Sequence, residues 1–502
     1  MQPLLRKIVI AGGGSAGWMT AAALSSLLNP KEVSVTLVES EEIGTVGVGE
    51  ATIPDIINFN RILGIDEREF MKATQATFKL GIQFVDWGRK GDVYIHPFSV
   101  HGVDMNGIDF HQYWLHAYGD ENEHPIQRYS LCAVAAMHNK FALPVPDPRS
   151  VYSYIRYAYH FDASLYAKFL RQYAEVRGVQ RVEGKIEQVV QAPETGNITA
   201  LKLTDGRVVE GDFFIDCTGF RALLIEKTLG VGYVDWSHWL PCNRAQAVPC
   251  RHAGPLIPYT RSTARTAGWQ WRIPTQRRTG NGHVYCSEYI SDDEAAHVLL
   301  SNLDGEALGT PRLIRFTTGH RRAFWEKNCV AIGLSAGFLE PLESTSIYLI
   351  QEGIDRLIAL FPNALLPDIV RNEYNRHMRT EFEQVRDFII LHYHATERDD
   401  TPFWNYVRTM QIPESLRHKI ELFREVGRIF RYQDELFSKP SWVAVMLGQH
   451  IVPKHCDPIV ATLPVDQVRE SLESMRTAIE NAALAMPTHA EFIQRYCPAQ
   501  IA

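Results

Sequence analysis

The stretch Lys7-Ile-Val-Ile-Ala-Gly-Gly-Gly-Ser-Ala-Gly17 joins a short apolar run to regularly spaced glycines. The apolar run at residues 8–10 predicts a strand that is buried on both faces of a parallel sheet. Gly12, Gly14 and Gly17 then form a G-x-G-x-x-G motif. The first glycine permits a tight turn, the second lets the backbone approach a pyrophosphate, and the third lets the next helix pack closely.

The residues after this motif complete a βαβ unit. We expect a helix from Ser15 to Leu28, whose N-terminus, including Ala16, faces the phosphates. A second apolar strand from Val33 to Val38 ends at Glu39, 22 residues beyond Gly17. An acid at this place accepts hydrogen bonds from a ribose hydroxyl. The pattern therefore predicts a dinucleotide site, without separating FAD from NAD.

Composition excludes several classes of protein. The chain has 502 residues, 45% of them hydrophobic and 22% charged, which is typical of a soluble globular protein with two or three core-forming units. Its net charge of −7 has no long run of one sign, which argues against nucleic acid or an acidic membrane as a partner. No uncharged apolar stretch is long enough to span a bilayer, and the first strand begins too early to allow a cleaved signal peptide, so we expect a cytoplasmic protein.

The cysteines and histidines do not suggest disulfides or a metal. The eight cysteines are scattered without C-x-x-C spacing, which predicts reduced and mostly buried thiols. The histidines fall at no recognisable ligand spacing, and we therefore predict no metal site.

Lys79 and Glu343 are candidate functional residues, one on a predicted strand and the other just before a predicted helix. Residues 78–84 alternate between apolar and other side chains, which predicts one strand with Lys79 on the opposite face from Phe78. This lysine is either simply solvated or faces a ligand. Ser344 is expected to cap a helix from Thr345 to about Phe361, with Glu343 just before it. The N-terminus of this helix either binds an anion, or it is an ordinary helix cap at which the nearby Glu343 interacts favourably with the helix dipole.

The middle and end of the chain predict a discontinuous cofactor domain. We expect a helix from Tyr159 to Gly178, and a strand within Val208–Gly219 that returns to the dinucleotide sheet. Two tryptophans of Gly268-Trp-Gln-Trp-Arg-Ile-Pro274 share one strand face, as cavity wall or as core. Later helices are predicted over 371–393, 414–435 and 465–485.

Over nearly its whole length, the sequence resembles the flavin-dependent tryptophan halogenases. The motifs that carry the resemblance are Gly12-Gly-Gly-Ser-Ala-Gly17, Val46-Gly-Val-Gly-Glu-Ala-Thr52, Phe78-Lys79, Gly268-Trp-Gln-Trp-Arg-Ile-Pro274 and Phe338-Leu-Glu-Pro-Leu-Glu-Ser-Thr345. The resemblance implies an α/β fold with a Rossmann-like FAD domain of the aromatic monooxygenase type and a second, mostly helical substrate domain. We expect residues 1–80, 151–235 and 310–361 in the first domain, and 81–150, 236–309 and 362–502 in the second.

The resemblance also implies the reaction. Reduced FAD from a separate flavin reductase reacts with O₂, halide (bromide or chloride) is oxidised to hypohalous acid, and this reagent passes through a tunnel to an indole or tryptophan. By the same resemblance, Lys79 holds the reagent and Glu343 positions the electrophile and accepts the ring proton. The amides of Thr345 and Ser346 bind halide. His96 and Phe98 sandwich the substrate ring, and Glu343 also contributes to substrate binding. A homodimer is one expected assembly.

The resemblance assigns a set of residues to the cofactor. They are Gly12, Gly14, Ser15, Ala16, Gly17, Glu39, Gly49, Glu50, Ala51, Ile186, Leu334 and Ile347.

Two departures from the family pattern bear on specificity. The segment Phe430–Gly448 does not reproduce the tyrosines and glutamate that hold free tryptophan in the family, which favours a small indole. Ser346 replaces a glycine beside the halide amides, which favours bromide over chloride. Two other functions remain open: an FAD monooxygenase that hydroxylates an aromatic ring, and a flavin- or nucleotide-binding regulatory protein without turnover.

Overall fold

A six-stranded sheet is built around the first strand of the chain. The computed structural model describes residues 4–42, 49–119 and 124–499. The strand order is Trp325–Glu326, Cys329–Ala331, Phe213–Asp216, Lys7–Ala11, Ser34–Glu39 and Gln180–Glu183. All neighbours are parallel except the first pair. The returning strand and the dinucleotide fold predicted from the sequence are therefore confirmed.

The helix after the glycine turn is buried on most of its surface. Ser15–Leu27 packs against the helices Ala163–Val176 and Ser346–Ala359. Its apolar residues from Trp18 to Leu24 are at most 3% exposed. A helix that is apolar on nearly every side is buried in this way, because it has no polar face to offer to water.

A small sheet joins three distant segments. Its strands are Gly49–Ala51, Ala158–Asp162 and Thr77–Lys79, with Ala158–Asp162 in the middle. The predicted helix from Tyr159 is wrong at its start, because residues up to Asp162 pair as a strand and the Asp162 carboxylate caps the helix that follows.

The predicted single strand over 78–84 is also wrong. Thr77–Lys79 and Gly81–Val85 belong to different sheets, and the amide of Leu80 between them donates to the carbonyl of Pro258. A Cβ atom at Gly81 would lie 2.4 Å from the carbonyl oxygen of His96, so the chain can cross between the sheets here only with a glycine.

A seven-stranded sheet lies beside the dinucleotide sheet. Its order is Arg312–Arg315, Arg244–Cys250, Thr279–Tyr285, Gly268–Pro274, Thr260–Arg265, Gly81–Val85 and Val93–Pro97. The edge strand Arg312–Arg315 lies just inside the segment 310–361 that we assign to the cofactor domain, so this sheet crosses the predicted boundary. The division into two domains stays a prediction.

The other strands form two small sheets. One contains Ile186–Gln191, Ile198–Leu203 and Val208–Glu210; the other contains Tyr233–Asp235, Gly319–Arg321 and Gly337–Phe338.

The remaining regular elements of the described chain are helices, joined by loops. The α-helices not yet named are Asp55–Ile62, Glu67–Thr74, Phe110–Tyr118, Leu131–Met137, Asp292–Ser301, Asp368–His394, Pro402–Thr409, Glu414–Val426, Lys439–Gly448, Val465–Ala485 and His489–Tyr496. The 3₁₀ turns are Ile126–Tyr129, Val151–Tyr154, Gly219–Arg221, Gly333–Ser335, Pro341–Glu343 and Val460–Thr462. Within residues 4–42, 49–119 and 124–499, no helix is both long and apolar enough to cross a membrane.

Two predicted helix ends differ from the structure. The helix predicted over 414–435 stops at Val426, because Gly427 adopts a left-handed conformation that closes the helix. The helix predicted to begin at Thr345 begins at Ser346, with Thr345 as its cap. Ser344 is left-handed (φ 61°) and does not cap it.

The cysteines agree with the sequence prediction. All eight are unpaired, and all are buried except Cys456, which is half-buried.

Candidate active site

A cavity of about 1150 Å³, here called the main cavity, opens beside the glycine turn. The predicted cofactor residues on its wall are Gly12, Gly14, Ser15, Ala16, Glu39, Gly49, Glu50, Ala51, Ile186, Leu334 and Ile347. Gly17 is not part of the wall. The structure therefore brings residues from many distant segments to one cavity, although their contacts with a cofactor stay a prediction.

The glycine turn fits a bound dinucleotide. Gly12 has φ 107°, and a Cβ atom there would lie 2.2 Å from the carbonyl oxygen of Cys217. A Cβ atom at Gly17 would lie 1.9 Å from the carbonyl oxygen of Gly12. Only glycines allow this turn, which presents the N-terminus of the helix Ser15–Leu27 to the main cavity, where it can hold the FAD pyrophosphate.

Two of the predicted cofactor residues on the wall of the main cavity, Glu39 and Glu50, carry carboxyl groups. Glu39 pairs with Arg181 at 2.5 Å and accepts a 3.3 Å hydrogen bond from the indole N–H of Trp18. A carboxylate has about four lone-pair sites, so Glu39 can still accept from ribose hydroxyls. Burial raises the pKa of Glu50 to about 7. Residues 43–48 lie outside the described residues. They include the first three residues of the Val46–Thr52 motif.

Lys79 is completely buried, so its interpretation as a solvated lysine is wrong. Its ammonium donates to the carbonyl of Thr52 at 3.0 Å and to the hydroxyl of Ser344 at 2.7 Å. It also lies 5.0 Å from the centre of the Phe98 ring. Burial lowers the pKa of Lys79 to about 7, although the negative charge of Glu343 acts to raise it. Lys79 can thus change its charge near neutral pH.

Glu343 is held between two histidines. His96 Nδ1 lies 3.0 and 3.1 Å from its two oxygens, and His392 Nε2 lies 2.7 Å from Oε1. All three side chains are at most 3% exposed. Burial alone would raise the pKa of Glu343, but His96 and His392 lower it to about 2. Glu343 therefore carries a stable negative charge in a dry site.

Each of the two predicted aromatic substrate residues contacts one member of the charged pair formed by Lys79 and Glu343. His96 contacts the Glu343 carboxylate, and Phe98 lies under the Lys79 ammonium. The His96 ring is 5.7 Å from the Phe388 ring, which stacks on Phe437 at 3.7 Å. The structure thus brings Lys79, Glu343, His96 and Phe98 together beside an aromatic wall.

The predicted halide residues stand at the start of the helix Ser346–Ala359. Ser346 lines the main cavity. Thr345 is fully buried, and its hydroxyl has no hydrogen-bond partner among the described residues. The first amides of a helix lack partners within the helix and are suited to an anion.

The two tryptophans of the Gly268–Pro274 strand play different parts. Trp271 forms part of the wall of the main cavity, whereas Trp269 donates to Glu340 Oε2 at 2.7 Å. The Tyr393 hydroxyl donates to the same oxygen at 2.6 Å. Glu340 therefore fixes the strand and the long helix Asp368–His394 to the segment that carries Glu343.

Sequence reasoning missed several partners of the charged pair. His392 lies late in the helix Asp368–His394, and no local pattern distinguishes it from a core histidine. The sequence predicts Ser344 as a helix cap, but its hydroxyl instead accepts a hydrogen bond from the Lys79 ammonium. Thr52 provides only a carbonyl, which no side-chain pattern can reveal.

The segment Phe430–Gly448 contains one buried acid, and a lysine pairs with it. Lys419 Nζ lies 2.7 Å from Glu435 Oε1, and both side chains are less than a tenth exposed. The same ammonium lies 4.4 Å from the Trp442 ring, which packs against Phe388. The acid nearest to the aromatic wall in this segment is therefore already neutralised within the protein.

Comparisons with known proteins point to one family. The family model described as tryptophan halogenase matches residues 7–465. Tryptophan 6-halogenase SttH of Streptomyces toxytricini is 35% identical, with 97% of each chain covered. A solved flavin-dependent halogenase from Xanthomonas campestris superposes with a TM-score of 0.96 at 51% identity, covering 99% of this chain and 100% of that one. BrvH, a flavin-dependent halogenase from Brevundimonas sp. BAL3, superposes with a TM-score of 0.95 at 47% identity, covering 98% of this chain and 99% of that one.

Proposed function

The chain belongs to the tryptophan halogenase family, and we propose that it halogenates a small, uncharged indole with a preference for bromide. As a flavin-dependent halogenase, it is an enzyme that uses reduced FAD from a separate flavin reductase, together with halide and O₂. When bound, reduced FAD supplies with O₂ the oxidising power that turns halide into hypohalous acid.

One contact carries the proposal. Ser344 lies on the wall of the main cavity, and its hydroxyl accepts the hydrogen bond of Lys79. Lys79 is therefore placed directly behind the wall, where it can take up a reagent that leaves the cavity. A free hypohalous acid would attack thiols and amines, so a buried donor that holds it gives both activation and selectivity.

Glu343 is proposed to act beside Lys79. Its negative charge stabilises the ammonium and the positive charge that develops on the ring during electrophilic attack. A protonated ring intermediate is a strong acid, so even a carboxylate with a pKa of about 2 can accept its proton. His96 and His392, in contact with this carboxylate, are placed to take the proton onward.

The contacts of Glu435 support an uncharged substrate. Free tryptophan carries an ammonium and a carboxylate, and unpaired charges in a dry pocket cost several kcal/mol. Because Glu435 is bound by Lys419, it is not available to a substrate ammonium. The wall formed by Phe388, Phe437 and Trp442 offers aromatic contact to an indole ring.

Ser346 supports the choice of bromide. It adds a Cβ atom and a hydroxyl at the first position of a helix whose amides are proposed to bind halide. Chloride holds its water more tightly than bromide, so a less open amide site penalises chloride more. We further propose that the cofactor and substrate domains follow the boundaries expected from the sequence, except that the edge strand Arg312–Arg315 belongs to the substrate domain with the rest of its sheet.

A product panel tests the proposal. The purified enzyme is given indole or tryptophan with reduced FAD and O₂, and with bromide, chloride or no halide, and the products are identified by mass spectrometry. Brominated indole as the main product is expected. A hydroxylated product that forms equally well without halide would instead establish an FAD monooxygenase, and no turnover of either substrate would favour a binding protein.

A further inference from the structure

Three buried side chains form a hydrogen-bonded chain between the main cavity and the strand of Lys79. Thr260 lines the cavity, and its hydroxyl lies 2.9 Å from Nε2 of His160. Nδ1 of the same ring lies 3.1 Å from the hydroxyl of Thr77, which donates to the carbonyl of Pro274 at 2.6 Å. Thr77 and His160 are fully buried, and Thr260 is 3% exposed.

The carbonyl of Pro274 fixes the direction of this chain. A carbonyl only accepts, so Thr77 gives it its single hydroxyl proton and must accept from His160. The proton of a neutral His160 therefore sits on Nδ1, and Nε2 accepts from Thr260. Burial lowers the pKa of His160 well below its ordinary value, and Lys79 and His489 act in the same direction.

The backbone makes the same connection as the side chains. His160 lies in the middle strand of the small sheet, opposite Ala51 on one side and Thr77 on the other. Ala51 lines the main cavity, and the strand that contains Thr77 ends at Lys79. The Lys79 ammonium in turn reaches the carbonyl of Thr52, next to Ala51. His160 is therefore the side chain that ties the cavity wall to the strand of Lys79.

We propose that His160 is a positioning residue that couples the main cavity to Lys79. Through Thr260 and Thr77 it fixes the place of Lys79 relative to the cavity in which the reagent forms. This inference rests on the proposed role of Lys79. Breaking either hydrogen bond lets Lys79 shift, so that more reagent decomposes before it reaches the substrate.

Two variants separate the two halves of the chain. The amide nitrogen of His160→Asn lies near the Nδ1 position and can still donate to Thr77, whereas the bond from Thr260 is lost. The amide oxygen of His160→Gln reaches toward the Nε2 position and can accept from Thr260, whereas the bond to Thr77 is lost. The quantity to measure is halogenated product per reduced FAD oxidised, compared at equal concentrations of folded, FAD-binding enzyme, because free reduced FAD also reacts with O₂ in solution.

Both variants are expected to lower this ratio by about tenfold, the factor that follows from losing one hydrogen bond. Thr260→Val should lower the ratio by the same factor. Combining it with His160→Asn should lower the ratio no further, because both substitutions break the same hydrogen bond, the one between Thr260 and His160. His283→Asn is the matched control. His283 is also fully buried, with Nδ1 3.1 Å from the carbonyl of Ala295. Ala295 does not line the main cavity, whereas the partner Thr260 of His160 does, so the His283 variant should keep the ratio.

The outcomes distinguish this inference from the proposed function. If Lys79→Ala loses product while the His160 and Thr260 variants keep the ratio, the coupling role is wrong and the function stands. A fall in His283→Asn equal to that in the His160 variants would also overturn it. If Lys79→Ala still forms product, the proposed role of Lys79 fails first. Should the His160 variants not fold, Thr260→Val alone decides: an unchanged ratio contradicts the coupling.

Discussion

The ammonium of Lys79 donates a 2.7 Å hydrogen bond to the hydroxyl of Ser344, the residue that follows Glu343 in the chain. Because Ser344 also lines the main cavity, this contact fixes Lys79 behind the cavity wall. It places the lysine beside the segment that contains Glu343 and the amides proposed to bind halide.

Halogenation should decline as the pH rises through about 7, the value to which burial lowers the pKa of Lys79. Below this pH the ammonium can donate to the reagent; above it the neutral amine loses that charge. The measurement is halogenated product per reduced FAD oxidised as a function of pH. Peroxide release should rise where the product falls.

The same experiment in Glu343→Gln identifies the group that titrates. Glu343 raises the pKa of Lys79, so removing its charge should move the decline in the residual activity to lower pH. A decline at the same pH in both proteins would assign it to the reagent instead of to Lys79.

Glu343→Gln should lower the product yield by about a hundredfold or more, because it keeps the shape but removes the base and the charge. Flavin oxidation and peroxide release should continue. Glu340→Gln is the matched control, because one oxygen of Glu340 accepts both of its hydrogen bonds and a glutamine oxygen can accept both as well. An unchanged yield in Glu343→Gln would leave Glu343 as an acid that only favours the helix start.

Indole should be converted at least as well as tryptophan. With Glu435 paired to Lys419, the one buried acid of this segment is not free to bind the ammonium of tryptophan. A charge left unpaired in a dry pocket costs several kcal/mol. Steady-state rates on both substrates at equal concentrations give the comparison. Fast conversion of tryptophan with little activity on indole would refute an uncharged pocket.

Ser346→Gly should reduce the preference for bromide. The substitution removes a side chain from the first position of the helix Ser346–Ala359 and opens the approach to its amides. The test is competition between bromide and chloride at equal concentration in both proteins, with the ratio of products read by mass spectrometry. Mainly chlorinated product from the unmodified enzyme, or no shift in the variant, would exclude Ser346 as the cause.

The cofactor half of the molecule could be predicted from sequence because its signals are local. The glycine turn, the helix after it and Glu39 lie within one short stretch, and their spacing follows from backbone geometry. The structure places all of these elements as expected, apart from helix ends.

The surroundings of the charged pair could not be predicted, because they depend on contacts between distant segments. His392 is 49 residues from Glu343, and His160 is 83 residues from Thr77. The alternation of residues 78–84 leaves open whether Lys79 is solvated or faces a ligand, because it gives no sign that the chain changes sheets at Leu80. Burial of Lys79 follows from that change of sheet and not from its neighbours in sequence.

The most direct test of the account compares Lys79→Ala with the unmodified enzyme, using indole, bromide, O₂ and reduced FAD. Halogenated product, flavin oxidation and peroxide are measured in the same reaction. We predict that FAD binding and flavin oxidation persist while brominated indole falls by at least about a hundredfold and peroxide rises. Product formation within a few-fold of the unmodified enzyme would contradict the account, because Lys79 would then not handle the reagent.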